Sequence, residues 1–147
     1  MVLDVELQER YWYPDDGGQV WVAGYQLVDA SGRFLGRDAP ELAALGVIVA
    51  WVAGAVHRPD ALASELAAPG RALRLRPEPD NPHDANAIAV ALEDGSLLGY
   101  VPRELAPRVD GSWSAVVLRE RRASPRDPRD GLTMLLAPEP IELRARP

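Results

Sequence analysis

Fourteen prolines and twelve glycines are spread through 147 residues, and this punctuation limits the chain to short elements. Interior proline removes a backbone donor and clashes with the preceding helical turn, so no long amphipathic helix fits between the breaks. What remains between them are segments rich in β-branched and aromatic residues: Val5–Trp12, Gln19–Val28, Val47–Val56, Ala72–Arg76, Ala87–Leu92, Ser96–Val101, Trp113–Arg119, Leu132–Ala137 and Ile141–Arg144. Segments of this kind bounded by turn residues read as strands. Asp15-Asp16-Gly17-Gly18, Ser31-Gly32 and Asp94-Gly95 are hairpin-type turns that need positive φ. One helix is expected over Asp60–Ala68, entered at Pro59 and stopped by Pro69-Gly70. A second is expected to start near Pro102 and to be cut short by Pro107. Residues 38–46 read as a short helix or a linker. Many short strands with two short helices define a mainly β chain and a small barrel.

The organisation expected is an N-terminal hairpin and linker over residues 1–46, followed by the barrel over 47–147. Residues 1–46 carry eight acids and three arginines, and 47–147 carry fourteen acids and thirteen arginines. The net charge of −6 argues against a general nucleic-acid binder, whereas the near-balanced second part leaves room for a local basic surface. Arg119–Asp130, RERRASPRDPRD, reads as a polar excursion between two strands, either a solvated loop or a phosphate-contacting one. Trp12, Trp21, Trp51 and Trp113 all fall in expected strands and read as core or interface residues.

Several functional classes are disfavoured. There is no cysteine, hence no disulfide or thiolate metal site, and the two histidines, His57 and His83, show no metal-ligand spacing. No run approaches the roughly 20 apolar residues of a membrane span. The N-terminus, MVLDVELQER, lacks the apolar centre of a signal peptide, so a cytoplasmic location is expected. All 16 basic residues are arginine, so the lysine of a PD-(D/E)xK nuclease is missing. Glu93 and Asp94 sit at a hairpin tip as turn formers. No nucleophile elbow or phosphate-binding loop occurs, so neither an enzyme nor a cofactor is expected.

The densest stretch is Arg76–Ala106. Pro79-Asp80-Asn81-Pro82 forms a turn because Asp and Asn side chains fold onto their own backbone while proline fixes φ. Asp84 and Asn86 follow, the latter read as structural. Ala87–Leu92 is a nearly continuous apolar strand, and Glu93–Ser96 turns the chain. Gly99 inside the returning strand signals a bulge or the close approach of another backbone. Pro102 pre-sets a helix start that carries Arg103.

The runs EPDNPHDANAIAV, EDG and GYVPRELA together resemble the signature of the HIRAN domain family. VAWVAGAVHRPDAL upstream resembles its first strand and first helix, and the likeness extends over about Val47–Ala137. It implies an OB-like β-barrel with two short helices. It also implies, as in HIRAN domains of eukaryotic fork-remodelling translocases, a role in DNA repair and a pocket for the 3′ end of single-stranded DNA. Carried over by motif, Asn81, Asp84 and Arg103 match that pocket, and Tyr100 follows the hairpin glycine. His83 stands where an aromatic often sits. His57 and Arg58 fall where the eukaryotic members carry an aromatic pair, so weaker stacking on bases is implied. In this reading Asp84 accepts a hydrogen bond from a terminal 3′-OH and repels a 3′-phosphate. Arg103 neutralises a backbone phosphate, while His83 and Tyr100 offer faces to a base. The alternative is a protein-interaction module on the same fold with little DNA affinity. Tyr11, Trp12, Tyr13, Trp21 and Tyr25 in the N-terminal extension are candidates for covering a sheet edge, contacting a protein partner or forming a homodimer.

Overall fold

The computed structural model describes residues 1–13 and 18–146. The expected turn at Asp15-Asp16-Gly17-Gly18 lies outside the described residues except for Gly18. The fold is mainly β, with nine strands in one connected sheet. They are β1 (Val2–Trp12), β2 (Val20–Leu27), β3 (Ile48–Trp51), β4 (Ala72–Pro77), β5 (Ile88–Ala91), β6 (Leu97–Tyr100), β7 (Ser114–Arg122), β8 (Arg129–Ala137) and β9 (Glu142–Ala145). Each of the nine sequence segments lies on one of them. No helix among the described residues is long and apolar enough to cross a membrane.

Six strands nearly close on themselves. The order β6-β5-β4-β7 continues through β8 to β3. The return from β3 to β6 is a single antiparallel bridge, in which Ala53 and Tyr100 exchange both backbone hydrogen bonds at 2.8 and 2.9 Å. The sheet is therefore an OB-like barrel that is not closed by a continuous ladder. Gly99 makes the bridge possible, since a Cβ there would stand 2.4 Å from the Ala53 carbonyl oxygen. This is the close backbone approach expected of a strand glycine. Gly99→Ala is expected to cost about 1–3 kcal/mol through overpacking. Gly36→Ala, at a position with open space, is the neutral control. Thermal unfolding of the two variants checks the pair.

Two cores lie on opposite faces of β7 and β8. Val52, Leu62, Leu73, Val90, Leu98, Val117, Met134 and Leu136 fill the barrel. Leu3, Val5, Leu27, Leu42, Val116, Leu118 and Leu135 form the second core, under the N-terminal hairpin and helix α1 (Pro40–Leu45). Strand alternation sends neighbouring residues of β7 and β8 to different cores. The hairpin β1-β2 joins the sheet by pairing Trp21–Gly24 with Arg119–Arg122, and β9 covers only Val2–Val5 of β1.

Three expectations are corrected. Asp60–Ala68 is not one helix: α2 (Pro59–Ala63) ends at Ser64, whose extended backbone and Oγ start a 3-10 turn over Glu65–Ala67 by accepting the Leu66 N–H. The segment after Pro102 is a turn followed by a 3-10 turn at Ala106–Arg108, with no α-helix, because Pro107 falls where elongation would begin. Residues 119–130 are only half loop. β7 runs through Arg122 and β8 starts at Arg129, with Arg121 on Asp130, Arg122 and Arg129 on Glu120, and Arg119 on the Tyr25 carbonyl. Of the tryptophans read as core or interface, Trp51 and Trp12 are 49% and 44% exposed, so only the interface reading applies to them.

Candidate functional site

The loop between β4 and β5 is built by its own side chains. Asn81 Oδ1 accepts the backbone N–H groups of His83 and Asp84, and Asp84 Oδ1 accepts that of Asn86. The Asn81 amide also donates to Glu78 Oε1 at 3.0 Å. Glu78 Oε1 takes a second bond, from the Tyr100 hydroxyl on β6, again at 3.0 Å. Glu78 thus fastens the loop to the neighbouring strand, a role not evident from its place in the sequence. Asn81 spends both ends of its side chain on this scaffold and is a positioning residue for the loop.

Asp84 is left with one oxygen in reserve. Its Oδ2 lies 3.8 Å from Nε of Arg103, too far for a hydrogen bond, and Arg103 is otherwise exposed. The result is a half-buried carboxylate oxygen facing an exposed guanidinium across a small gap. His83 is exposed on the same loop.

Tyr100 anchors the other half of the site. Burial, and then its bond to the Glu78 carboxylate, push the phenol above its usual range, so it stays a neutral donor, while the charges of Arg58 and Arg76 pull the other way. Ala53 pairs with Tyr100, so the two share a face of the sheet, and Trp51, two residues before Ala53, shares it as well. The exposed Trp51 lines two clefts. One, of about 460 Å³, includes Arg37, Val49, Leu105 and Arg108, and the other, of about 230 Å³, includes Val56, Arg121 and Thr133.

His57 and Arg58 lie after β3, at and just beyond a 3-10 turn over Ala55–His57. They line a groove of about 530 Å³ with Asp60, Ser64, Asp94, Ser96 and Leu97, between α2 and the β5-β6 hairpin. The sequence-derived residues therefore fall into two groups. Asn81, Asp84, Tyr100 and Arg103 are joined by hydrogen bonds and one ion pair, with His83 exposed on the loop they hold. His57 and Arg58 form a separate bank between α2 and the β5-β6 hairpin. Trp51, Arg76 and Glu78 are additions from the structure. For Arg76 a signal existed: ALRLR in β4 alternates apolar and basic residues at period two. No cluster of His, Asp or Glu suited to a metal occurs among the described residues.

These features define a small, mainly β domain with a polar loop, an open carboxylate and exposed aromatic and basic side chains at one edge of its barrel. The HIRAN domain profile matches residues 46–129, and the chain belongs to the HIRAN domain family. The crystal structure of the HIRAN domain of human HLTF is similar at 21% identity, over 63% of this chain and 75% of that one, with a TM-score of 0.43. A search of curated proteins gives no match.

Proposed function

We propose that this chain is a non-catalytic nucleic-acid-binding module that captures the 3′-hydroxyl end of single-stranded DNA. Family membership supports the binding role, and one observation carries the specificity: Asp84 keeps an unused acceptor oxygen beside a cation. A carboxylate repels internal phosphates, so it suits DNA only where the strand ends in a hydroxyl that can donate to it. Arg103 then meets the last phosphate. Trp51 and His83 offer faces on which a base stacks, each such contact contributing roughly 1–3 kcal/mol. Trp51 supplies the aromatic grip that His57 and Arg58 lack. Arg58 adds charge near Tyr100, and His57 extends the bank.

Titration of fluorescent oligonucleotides ending in 3′-OH or 3′-phosphate, at low salt, tests this reading. Tighter binding of the 3′-OH strand, by about 10-fold or more, is the expected result for a charge-assisted hydrogen bond. Equal binding of the two would remove end recognition. If neither binds, the alternative of a protein-interaction module takes its place. That alternative draws on the exposed Tyr11, Trp12 and Tyr13 at the end of β1 and on the net charge of −6.

A further inference from the structure

A second set of arginines extends away from this site across the sheet. Arg76 pairs with Ala89 and Arg74 with Ala91; Ala89 in turn pairs with Tyr100, and Ala91 with Leu97. Residues opposite each other in a ladder share a face. Arg74 and Arg76 therefore stand on the face that carries Tyr100, whereas Val90 and Leu98 point into the barrel core. Between the arginines of β4 and the Tyr100 side of β6, β5 presents only alanine. A larger residue there would prop the flanking side chains apart. Instead both alanines are fully buried beneath their neighbours, with Arg74 and Arg76 exposed above. Arginine stems cover apolar surface readily while the guanidinium stays in water.

Among the described residues, Arg58, Arg74 and Arg76 make no ion pair, whereas Arg71 at the edge is held by Glu93 at 3.2 Å. Successive arginines on one face of a strand are about 7 Å apart, commensurate with one nucleotide step of an extended single strand. The row ends at the β5-β6 hairpin tip, where Asp94 faces the charge of Arg74 and Glu93 holds Arg71.

We infer that a single strand captured at Asp84 leaves the terminal pocket across β5, with Arg76 and then Arg74 holding successive phosphates and Arg58 on the opposite bank. The acids of the hairpin tip end the track, so the footprint is about four nucleotides, at the short end of single-strand sites on barrels of this kind. This track rests on the end-capture reading above.

The test uses the full chain and its Arg74→Ala/Arg76→Ala variant with oligothymidylates of about two to eight nucleotides, each ending in 3′-OH or 3′-phosphate, over a range of salt. For the unaltered chain, affinity is expected to rise with length to about four nucleotides and then level off. The variant should show no gain beyond about two nucleotides. Its slope of log affinity against log salt should be shallower by about 0.7 for each phosphate it no longer neutralises, or about 1.4 in all. Its overall affinity should fall while the ratio of 3′-OH to 3′-phosphate binding, set by Asp84, persists, and its melting temperature should drop only slightly, because the removed stems cover alanine but hold no ion pair. A variant with unchanged length dependence and slope, but intact end preference, overturns the track and leaves end capture standing. A parent chain that ignores the 3′ terminus overturns both. An acidic peptide competing as well as an oligonucleotide of equal charge overturns the assignment of the arginine row to DNA.

Discussion

Asp84→Asn is expected to bind strands ending in 3′-OH and 3′-phosphate with equal affinity, erasing a preference of about 10- to 100-fold. The substitution is nearly isosteric, and the amide oxygen can still accept the Asn86 N–H that Asp84 Oδ1 takes now. The loop therefore keeps its shape. What changes is the other terminal atom. Oδ2, now 3.8 Å from Arg103, becomes an amide nitrogen, which donates rather than accepts. The terminal hydroxyl loses a charge-assisted partner worth about 1.5–3 kcal/mol, and a terminal phosphate no longer meets a negative charge. Arg103→Ala should behave differently, weakening binding to both ends while preserving their ratio, because it removes a cation facing a phosphate and not the hydroxyl acceptor. Parallel titrations of the two variants distinguish these roles. An Asp84→Asn protein that still prefers the hydroxyl would place the discrimination elsewhere.

Arg129→Ala is expected to produce the largest loss of stability, about 3 kcal/mol or more. The Arg129 guanidinium is a knot between the sheet and α2. Its Nε donates to Glu120, and its Nη1 donates to the carbonyls of Leu62 and Ser64 at 2.8 and 2.9 Å. Arg129 and Glu120 side chains are only 14% and 12% exposed. Removing Arg129 leaves the little-exposed Glu120 with Arg122 as its remaining partner, so the loss from this pair falls at the low end of the about 3–5 kcal/mol for a broken buried pair. Here two helix-end carbonyls lose their donor as well. For a chain of this size the melting temperature should fall by about 2–4 °C per kcal/mol. Arg144→Ala, which breaks a pair between an exposed Arg144 and Asp4, is the comparison and should cost less than about 1 kcal/mol. Equal melting shifts for the two variants would show that the knot is not a main support. Because α2 follows directly on Arg58, loosening it should also disorder the bank formed by His57 and Arg58.

Much of the fold can be read from local sequence because its strands are short and sharply bounded. Most are set off by proline, glycine or an Asx turn, and some, such as ALRLR in β4, repeat apolar positions at period two. Gly99 announced the backbone crossing that closes the barrel. The turn at Asn81 was legible for the same reason: its bonds are local. The departures come from competition over a few residues. Ser64 diverts a helix by capping a new turn, and Pro107 leaves too few residues for a helix after Pro102. The polar run from Arg119 to Asp130 resembled a loop because its pairs Arg129–Glu120 and Arg121–Asp130 form only once β7 meets β8.

The candidate site was less legible. Its loop residues belong to one continuous motif, but Trp51 lay hidden in the apolar run VIVAWVAGAV, where alternation is not visible. Its exposure depends on which face of β3 turns outward, and pairing with β8 decides that. Glu78 carries no signal of its own in the sequence, because its role depends on the Tyr100 hydroxyl that donates to it from β6. Arg74 and Arg76 become meaningful only when alanine is found on the strand beside them.

The two-sided wall of β7 and β8 has a consequence for where this molecule begins and ends as a folding unit. The family profile spans residues 46–129, yet β8 starts at Arg129 and supplies Leu132, Met134 and Leu136 to the barrel. On the reverse side, Leu118 and Leu135 are sealed by Leu3, Val5, Leu27 and Leu42. A fragment trimmed to the matched segment would lose one wall of its interior and bare the back of another. Recognisable sequence and self-sufficient structure thus have different lengths here, and the residues outside the match serve as solvent shielding that the matched segment does not carry itself.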